Sequence, residues 1–461
     1  MTFSVFSEIR ERLLFNHIPI KDYKESPEKL AACFFQYFPQ YLKSLPVNPF
    51  EILKDFGVKI VFCDFDNLEG IFIPAKDSNQ KHLVAINANR PITRQRFTAA
   101  HELCHLIKDS NSKTDIRCLI SSDSEIEVYA NRFASELIMP SSMLMEHLNS
   151  KNITRRSLSE SKIVRIAHQF GASFQACCIK LKSIYSELSY VKIKKYFKPE
   201  KERKLQKLTY FRLYQQLIDS WEDLVLKNRE KFSLFLFKNK YIFNDSRLEG
   251  IDATYESVAE IIKDLFLNKQ KSIYSNEKYS AYCSIAGHSK LYDWIFENYE
   301  KDSISIFCIM QLHKELFSFF AAPEYGGKMR QSNTLVVGAK FETLDWHDIP
   351  IKLTELDKAV KELDFNYNHY SKSEIIHKII KIHHELTVIH PFPDGNGRVS
   401  RAFMNLQLLR YGLLPFYIDL NIKNKYYEAL YIADVTGNVD ELMCVAIQQM
   451  INTHVALQSK Y

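Results

Sequence analysis

Hydrophobic and polar positions follow different periods in the two halves of the chain. Residues 58–62 and 83–87 are short β-rich runs bounded by turn-forming residues such as Gly57, and helical patterns surround them. From residue 241 onward, apolar residues recur mostly at helical spacing, with one hairpin predicted near residues 326–338. The pattern predicts a multidomain protein in which an α+β domain precedes a mostly α-helical domain.

A charge-rich run separates the two regions. Residues 191–204 carry nine Lys, Arg and Glu side chains around Pro199. Such a run is typical of a solvated connecting helix, and its few aromatic residues leave a nucleic-acid or partner surface as the alternative. The predicted organisation is an unassigned segment at 1–44, a domain at 45–190, a charged helical connector at 191–240 and a second domain at 241–461.

Composition limits the protein class. A chain of 461 residues with 46% hydrophobic and 25% charged residues is an ordinary globular protein that exceeds one compact core. A net charge of +6 is too mild to indicate nucleic-acid binding. The nine dispersed cysteines and the charged N-terminal stretch favour a reduced, cytoplasmic protein. The sequence contains no run of about 20 apolar residues, so it predicts no membrane span.

Two predicted helices flank a tight loop near residue 394. Apolar residues recur from Ile375 to Ile389 at helical spacing, and Pro391 prevents that helix from continuing. The run Asp-Gly-Asn-Gly follows at 394–397, and a second helical pattern extends from Arg398 to a stop near Gly412. Free backbone N–H groups at the start of that second helix form a phosphate site.

Side chains around this loop add suitable chemistry. Arg398 and Arg401 lie on one face of the first turn, where they oppose the helix dipole unless an anion fills the site. Asp394 supplies a hard oxygen for Mg²⁺, and His390 titrates near neutrality and can accept a proton from a hydroxyl. The alternative is a capped helix–loop–helix turn with incidental charges.

The run from His390 to Arg401 resembles the Fic family motif H-x-F-x-D-G-N-G-R-x-x-R at every specified position. The resemblance implies transfer of AMP from ATP to a Ser, Thr or Tyr hydroxyl of a target protein. It implies that His390 is the base and that Asp394 holds Mg²⁺. The implied phosphate-binding residues are Gly395, Asn396, Gly397, Arg398 and Arg401.

Further segments are similar to the same family over roughly residues 241–456. They include residues 312–317 and 426–430, and residues 325–331 resemble the family's flap. The flap is a β-hairpin that docks the target by adding a strand. The resemblance therefore implies a docking role for Lys328, Met329 and Arg330.

Residues 245–250 resemble the family's inhibitory pattern, S/T-x-x-x-E-G/N. Glu249 and Gly250 match, whereas Asp245 stands where Ser or Thr is usual, and both residue types can cap a helix. The expectation is that Glu249 pairs with Arg401 and so inhibits transfer. The alternative is an ordinary surface glutamate.

A second motif lies in the first domain. His101 and His105 are four residues apart in a helix-compatible run, which suits Zn²⁺, and Glu102 can act as a base on a zinc-bound water. Glu127 lies on the apolar face of the next helical pattern and is the candidate third ligand. A favourable first-turn residue is the alternative for Glu127, and Cys104 is interpreted as packing.

These segments resemble the ImmA/IrrE family of zinc peptidases over roughly residues 45–185. The resemblance implies a metallopeptidase-like fold with Zn²⁺ at His101, His105 and Glu127, and relatives that cut regulator proteins. No helix-turn-helix pattern accompanies it, so direct nucleic-acid binding is not expected. The alternative for this domain is a non-catalytic sensor or partner-binding module, and the alternative for the whole chain is a regulator that acts mainly by binding a partner.

Overall fold

The computed structural model describes residues 26–77, 79–109, 116–119, 124–185, 197–226, 233–268, 280–301, 303–320, 322–334 and 344–458. The chain divides into two units, Met1–Glu222 and Asp223–Tyr461. Within the described ranges, no helix combines the length and the apolar character that a membrane crossing requires. The predicted order, an α+β domain before a mostly helical one, is confirmed.

A four-stranded sheet forms the centre of unit 1. Its strands are β1 (Lys59–Cys63), β2 (Leu68–Ile73), β3 (Leu83–Asn87) and β4 (Ile116–Leu119), in the order β1-β3-β2-β4. β1 runs parallel to β3, and β2 is antiparallel to β3 and to β4. Ile60 and Phe72 both pair with the buried Val84, which fixes the register of the three strands.

The other main elements described in unit 1 are helices. In chain order they are α1 (Pro27–Tyr37), α2 (Pro49–Asp55), α3 (Ile92–Asp109), α4 (Glu125–Ile138), α5 (Ser141–Ser150), α6 (Glu160–Phe170), α7 (Phe174–Ile184), α8 (Pro199–Leu205) and α9 (Phe211–Ser220). α3 packs against β2, β3 and α4. Ser124 caps α4 by accepting a hydrogen bond from the Glu127 N–H, which sets the first turn of that helix beside α3.

Most of the predicted connector is built into the two units. α9 buries the apolar stripe Leu213, Leu217 and Ile218 and packs against α2 and α3. Trp221 lies edge-on to Phe62 of β1, with ring centroids 5.2 Å apart. Because the apolar face of α9 is buried, residues 199–222 pack as part of unit 1 despite the charged stretch. Residues 234–240 begin a helix of unit 2.

The main elements described in unit 2 are helices, and an isolated antiparallel bridge joins Val225 to Leu413. Its helices are α10 (Leu234–Leu248), α11 (Tyr255–Asn268), α12 (Ser280–Asn298), α13 (Cys308–Leu316), α14 (Ile349–Asn366), α15 (Lys372–Ile389), α16 (Asn396–Arg410), α17 (Lys423–Thr436) and α18 (Asp440–Gln458). Ser371 and Glu374 form a capping box that starts α15. α16 is almost entirely buried and packs against α13 and α15. The loop that joins α15 to α16 is therefore held on a rigid base.

The predicted hairpin lies partly outside the described residues. Residues 326–334 contain no strand, and residues 335–343 are not among those that the structure describes. The hairpin itself therefore stays a prediction. The described part of the segment does touch the loop, because the Arg330 N–H donates to the Pro391 carbonyl at 2.9 Å.

Candidate active site and candidate metal centre

His390 lies where α15 ends. Its φ of 49° places it in the left-handed region, which is uncommon for a residue with a side chain. The Arg330 Nε donates to the His390 carbonyl at 2.8 Å and holds this turn in place. Burial lowers the pKa of the His390 ring from its ordinary value, so the imidazole is neutral at pH 7 and can accept a proton.

The loop after His390 is locked by its own side chains. The Asn396 Oδ1 accepts from the Phe392 N–H at 2.8 Å, and the Asn396 Nδ2 donates to the Phe392 carbonyl at 2.7 Å. Gly395 has a φ of 76°, and an added Cβ there would lie 3.0 Å from the Phe317 ring. The Asn396 side chain thus shapes the loop, while its backbone stands at the start of α16.

His313 of α13 connects the loop to the segment that carries the predicted flap. Its Nδ1 accepts from the Gly327 N–H at 2.8 Å, and its Nε2 donates to the Asp394 carbonyl at 3.1 Å. The imidazole also stacks on Phe392 with ring centroids 3.9 Å apart. Burial lowers the pKa of His313 to about 4, which keeps the ring neutral in this bridge. The sequence motif around residues 312–317 gave no indication of this contact.

The N-terminus of α16 presents groups that suit phosphate. Val399 is the first residue whose N–H bonds back to the Gly395 carbonyl, at 3.0 Å, so the first N–H groups of the helix have no partner within it. The Arg398 Nη1 donates to the Ser284 Oγ at 2.9 Å, and its Nη2 lies 3.2 Å from the Asp394 Oδ2. The Asp394 side chain is 72% exposed, so its carboxylate is accessible to a hard cation such as Mg²⁺.

Two carboxylates of one helix engage Arg401. The Arg401 Nη2 contacts the Glu249 Oε1, and the Arg401 Nε donates to the Asp245 Oδ1 at 2.5 Å. Asp245 does not cap a helix start, because Ser233 caps α10 and Asp245 lies in its last turn. Sequence reasoning anticipated the Glu249–Arg401 contact and missed the contact with Asp245.

The Glu249 carboxylate and the Arg401 guanidinium lie close to Gly397 of the loop. An added Cβ at Gly397 would lie 3.0 Å from the Arg401 Nη1 and 3.0 Å from the Glu249 Oε1. The Glu249 carboxylate therefore lies at the N-terminus of α16, where a phosphate group would bind. A carboxylate and a phosphate are both anions, so their occupation of this position is mutually exclusive.

The side chains predicted to bind zinc converge in unit 1. The His101 Nε2 lies 3.2 Å from the Glu127 Oε2, the His105 Nε2 lies 3.5 Å from the Glu127 Oε1, and the two Nε2 atoms are 3.1 Å apart. His101 turns its other ring nitrogen to the Asn131 Oδ1 at 3.0 Å, which orients the imidazole. All three residues are buried. Two imidazoles and a carboxylate fit Zn²⁺ with a fourth position open.

Glu102 is placed beside this cluster. It is fully buried, and neither of its carboxylate oxygens has a hydrogen-bond partner among the described residues. Burial raises the pKa of Glu102 to about 8. An added Cβ at Gly70 of β2 would lie 2.8 Å from the Glu102 Oε1, so glycine lets the strand approach the carboxyl. Cys104 is buried and does not belong to the ligand cluster.

Comparisons with known proteins support both resemblances. Residues 53–182 match the IrrE N-terminal-like domain, and residues 304–408 match the Fic/DOC family. The first range contains His101, His105 and Glu127, and the second contains the run from His390 to Arg401. The two family resemblances that the sequence indicated are confirmed.

Curated relatives match the second region. Protein adenylyltransferase Fic of Drosophila yakuba is 31% identical over 137 residues, which cover 29% of this chain and 26% of the relative. Protein adenylyltransferase fic-1 of Caenorhabditis elegans is 28% identical over 138 residues, which cover 30% and 25%. The chain thus spans about a quarter of the length of these relatives.

Solved structures with similarity include a Fic domain containing signaling protein from Bacteroides thetaiotaomicron VPI-5482. It is 20% identical, with 53% of this chain and 95% of that chain covered and a TM-score of 0.42. A second is Fic-1 from C. elegans (residues 134–508). It is 14% identical, with 81% of this chain and 91% of that chain covered and a TM-score of 0.40.

Proposed function

The chain carries an IrrE N-terminal-like domain and a Fic/DOC domain, and we propose that it is a protein adenylyltransferase. It transfers AMP from ATP to a Ser, Thr or Tyr hydroxyl of a target protein. One observation carries the proposal: a neutral His390 lies at the end of α15, one short loop before a helix N-terminus with Arg398 and Arg401. A base and a phosphate site in this order fit nucleotidyl transfer.

Each residue of the loop has a role in this reaction. The ATP phosphates bind the N–H groups at the start of α16 with Arg398 and Arg401, and Arg401 holds the γ-phosphate. Mg²⁺, held by Asp394, would offset charge on the phosphates. His390 takes the proton of the target hydroxyl while its oxygen bonds to the α-phosphorus, and the bond to the β-phosphate breaks with release of pyrophosphate.

Residues 328–330 dock the target in this proposal. The Arg330 side chain is buried and donates to the carbonyls of His390, Ser332 and Leu344, so it fastens the segment to the loop. Lys328 is exposed and Met329 is half-buried. We therefore assign contact with the target to the backbone of this segment and to the side chains of Lys328 and Met329.

The expected result of an activity test is transfer of label from the α-phosphate of ATP. The purified chain with Glu249→Gly is incubated with Mg²⁺, a lysate and ATP labelled at the α-phosphate or, in a parallel reaction, at the γ-phosphate. Protein should become labelled only in the first reaction, and mass spectrometry should find AMP on Ser, Thr or Tyr. Label from the γ-phosphate alone would show phosphate transfer and contradict the proposal.

We infer a second activity from the metal cluster of unit 1. The IrrE N-terminal-like domain binds one Zn²⁺ through His101, His105 and Glu127 and cleaves a regulator protein. The unpartnered, buried Glu102 supports this assignment, because a carboxyl beside the ligands is placed to act as the base for hydrolysis. A cytoplasmic location completes the proposal, because ATP and reducing conditions are both present there.

The zinc assignment predicts about one zinc per chain by elemental analysis. Replacing both His101 and His105 with Ala should remove the metal, whereas Glu102→Gln should retain it and abolish cleavage. A folded wild-type chain without zinc would contradict the ligand assignment. If Glu102→Gln cleaved a regulator at the wild-type rate, Glu102 would not be the base, and only the zinc-ligand assignment would stand. Full retention of zinc without any proteolysis in wild type would favour the sensor alternative.

A further inference from the structure

Asp245 and Glu249 hold Arg401 in unequal environments. They are four residues apart at the end of α10, so both side chains leave the same face of the helix. The Asp245 side chain is 3% exposed, whereas that of Glu249 is 27% exposed. One carboxylate is therefore part of the packed interior, and the other lies at its margin, where it can leave without opening the core.

The two carboxylates also contact different parts of the guanidinium. Asp245 accepts from Nε, and Glu249 contacts Nη2. The terminal nitrogens lie nearest the loop, since an added Cβ at Gly397 would be 3.0 Å from Nη1 and 3.5 Å from Nη2. Departure of Glu249 would thus expose the terminal nitrogens to a phosphate, while Nε remained bonded to Asp245.

Asp245 depends on Arg401 for its charge compensation. Its Oδ2 is buried without a hydrogen bond among the described residues, and the His288 Nε2 lies 3.5 Å from it. His288 is buried beside Arg398 and Arg401, and its pKa is lowered to about 3, so the ring carries no positive charge. Arg401 is consequently the cation that stabilises Asp245 within the described part of the chain.

We propose that Asp245 is a positioning residue for Arg401. It fixes the Nε edge of the guanidinium so that the terminal nitrogens point to the phosphate loop, and Glu249 alone competes with ATP for those nitrogens. This inference rests on the proposed AMP transfer. Asp245 supports the active state permanently, whereas Glu249 is an inhibitor that can leave.

The rival role is that of a second inhibitor, and it predicts the opposite sign. If Asp245 merely blocked Arg401, removing it would raise transfer further once Glu249 was gone. If Asp245 orients Arg401, removing it lets the guanidinium rotate away from the γ-phosphate, and small misplacements reduce the rate steeply. ADP lacks the γ-phosphate, so its affinity is unaffected by the orientation of Arg401.

The test compares Asp245→Ala and Asp245→Asn in a Glu249→Gly background. Asp245→Ala should lower kcat/KM for ATP by about tenfold or more and weaken ATP binding, with ADP binding unchanged. Asp245→Asn keeps an oxygen that accepts from Nε and should retain most of the activity. With Arg401→Ala also present, Asp245→Ala should have no further effect on ATP affinity, because its action passes through Arg401.

Each outcome decides one question. Equal or higher activity of Asp245→Ala in the Glu249→Gly background overturns the positioning role, and so does an equal loss of ATP and ADP affinity, which indicates general structural damage. If Asp245→Ala does not fold, the affinities of Asp245→Asn for ATP and ADP are compared instead. A wild-type ratio of ATP affinity to ADP affinity still supports the positioning role, and a lower ratio overturns it. Absence of AMP transfer by Glu249→Gly with Asp245 intact contradicts the proposed function itself.

Discussion

Replacing Glu249 with Gly is expected to raise AMP transfer by about tenfold or more over the wild-type chain. The substitution removes the carboxylate that contacts the Arg401 Nη2 and lies over Gly397, so the phosphate position becomes available. The fold should tolerate it, since Glu249 follows the last helical residue of α10 and its φ of −80° is one that glycine also adopts. The rate is measured with α-labelled ATP and Mg²⁺ under identical conditions for both chains.

Two further variants make this result specific. Glu256→Gly changes an exposed glutamate of α11 and should leave the rate at the wild-type level. Arg401→Ala in the Glu249→Gly chain should lower transfer again, because the inhibitory carboxylate and the phosphate use the same guanidinium. A Glu249→Gly chain no more active than wild type would show that the ion pair is structural and not inhibitory.

His390→Ala is expected to lower transfer by roughly 10²- to 10⁴-fold in the Glu249→Gly background, the usual contribution of a general base. Burial lowers the pKa of His390, so the wild-type ring is already in its proton-accepting form at pH 7. The rate should fall only when the pH drops through that lowered pKa and the ring becomes protonated. ATP affinity, measured by calorimetry, should be retained, because the ring does not belong to the phosphate site.

The matched control is His369→Ala, which changes an exposed histidine in the turn before α15. It should leave both ATP affinity and transfer unchanged. Transfer by His390→Ala near the rate of its parent would remove His390 from the mechanism. Loss of ATP affinity along with transfer would instead indicate that the substitution disturbs the turn that Arg330 holds.

Local sequence patterns predicted the helices on both sides of the loop and the two helices of the candidate zinc site. The helices on both sides of the loop begin and end near the expected residues, because Pro391 and Gly395 limit the backbone whatever surrounds them. Both candidate zinc helices follow from the four-residue spacing of His101 and His105 and from the apolar stripe beside Glu127. These signals lie within about 20 residues of the side chains that they place.

Contacts between distant segments were beyond such patterns. Asp245 is 156 residues from Arg401, and its position in the family pattern suggested only a capping role, so its ion pair could not be anticipated. Asn131 orients His101 from the neighbouring helix, and one signal for it was available, since it lies four residues after Glu127 on the same face. Strand β2 (Leu68–Ile73) escaped prediction because Gly70 interrupts its apolar run.

His313 can make both of its hydrogen bonds only when the ring proton is on one particular nitrogen. Its Nδ1 accepts from the Gly327 N–H while its Nε2 donates to the Asp394 carbonyl, and a neutral imidazole satisfies both bonds in only one of its two tautomers. The other tautomer would set two N–H groups against each other and a lone pair against a carbonyl oxygen. The segment that we propose to dock the target and the loop that we propose to bind the nucleotide are therefore held in fixed relative positions by one tautomer of His313. Mutating His313 would uncouple the placement of one substrate from that of the other without removing a group that touches either.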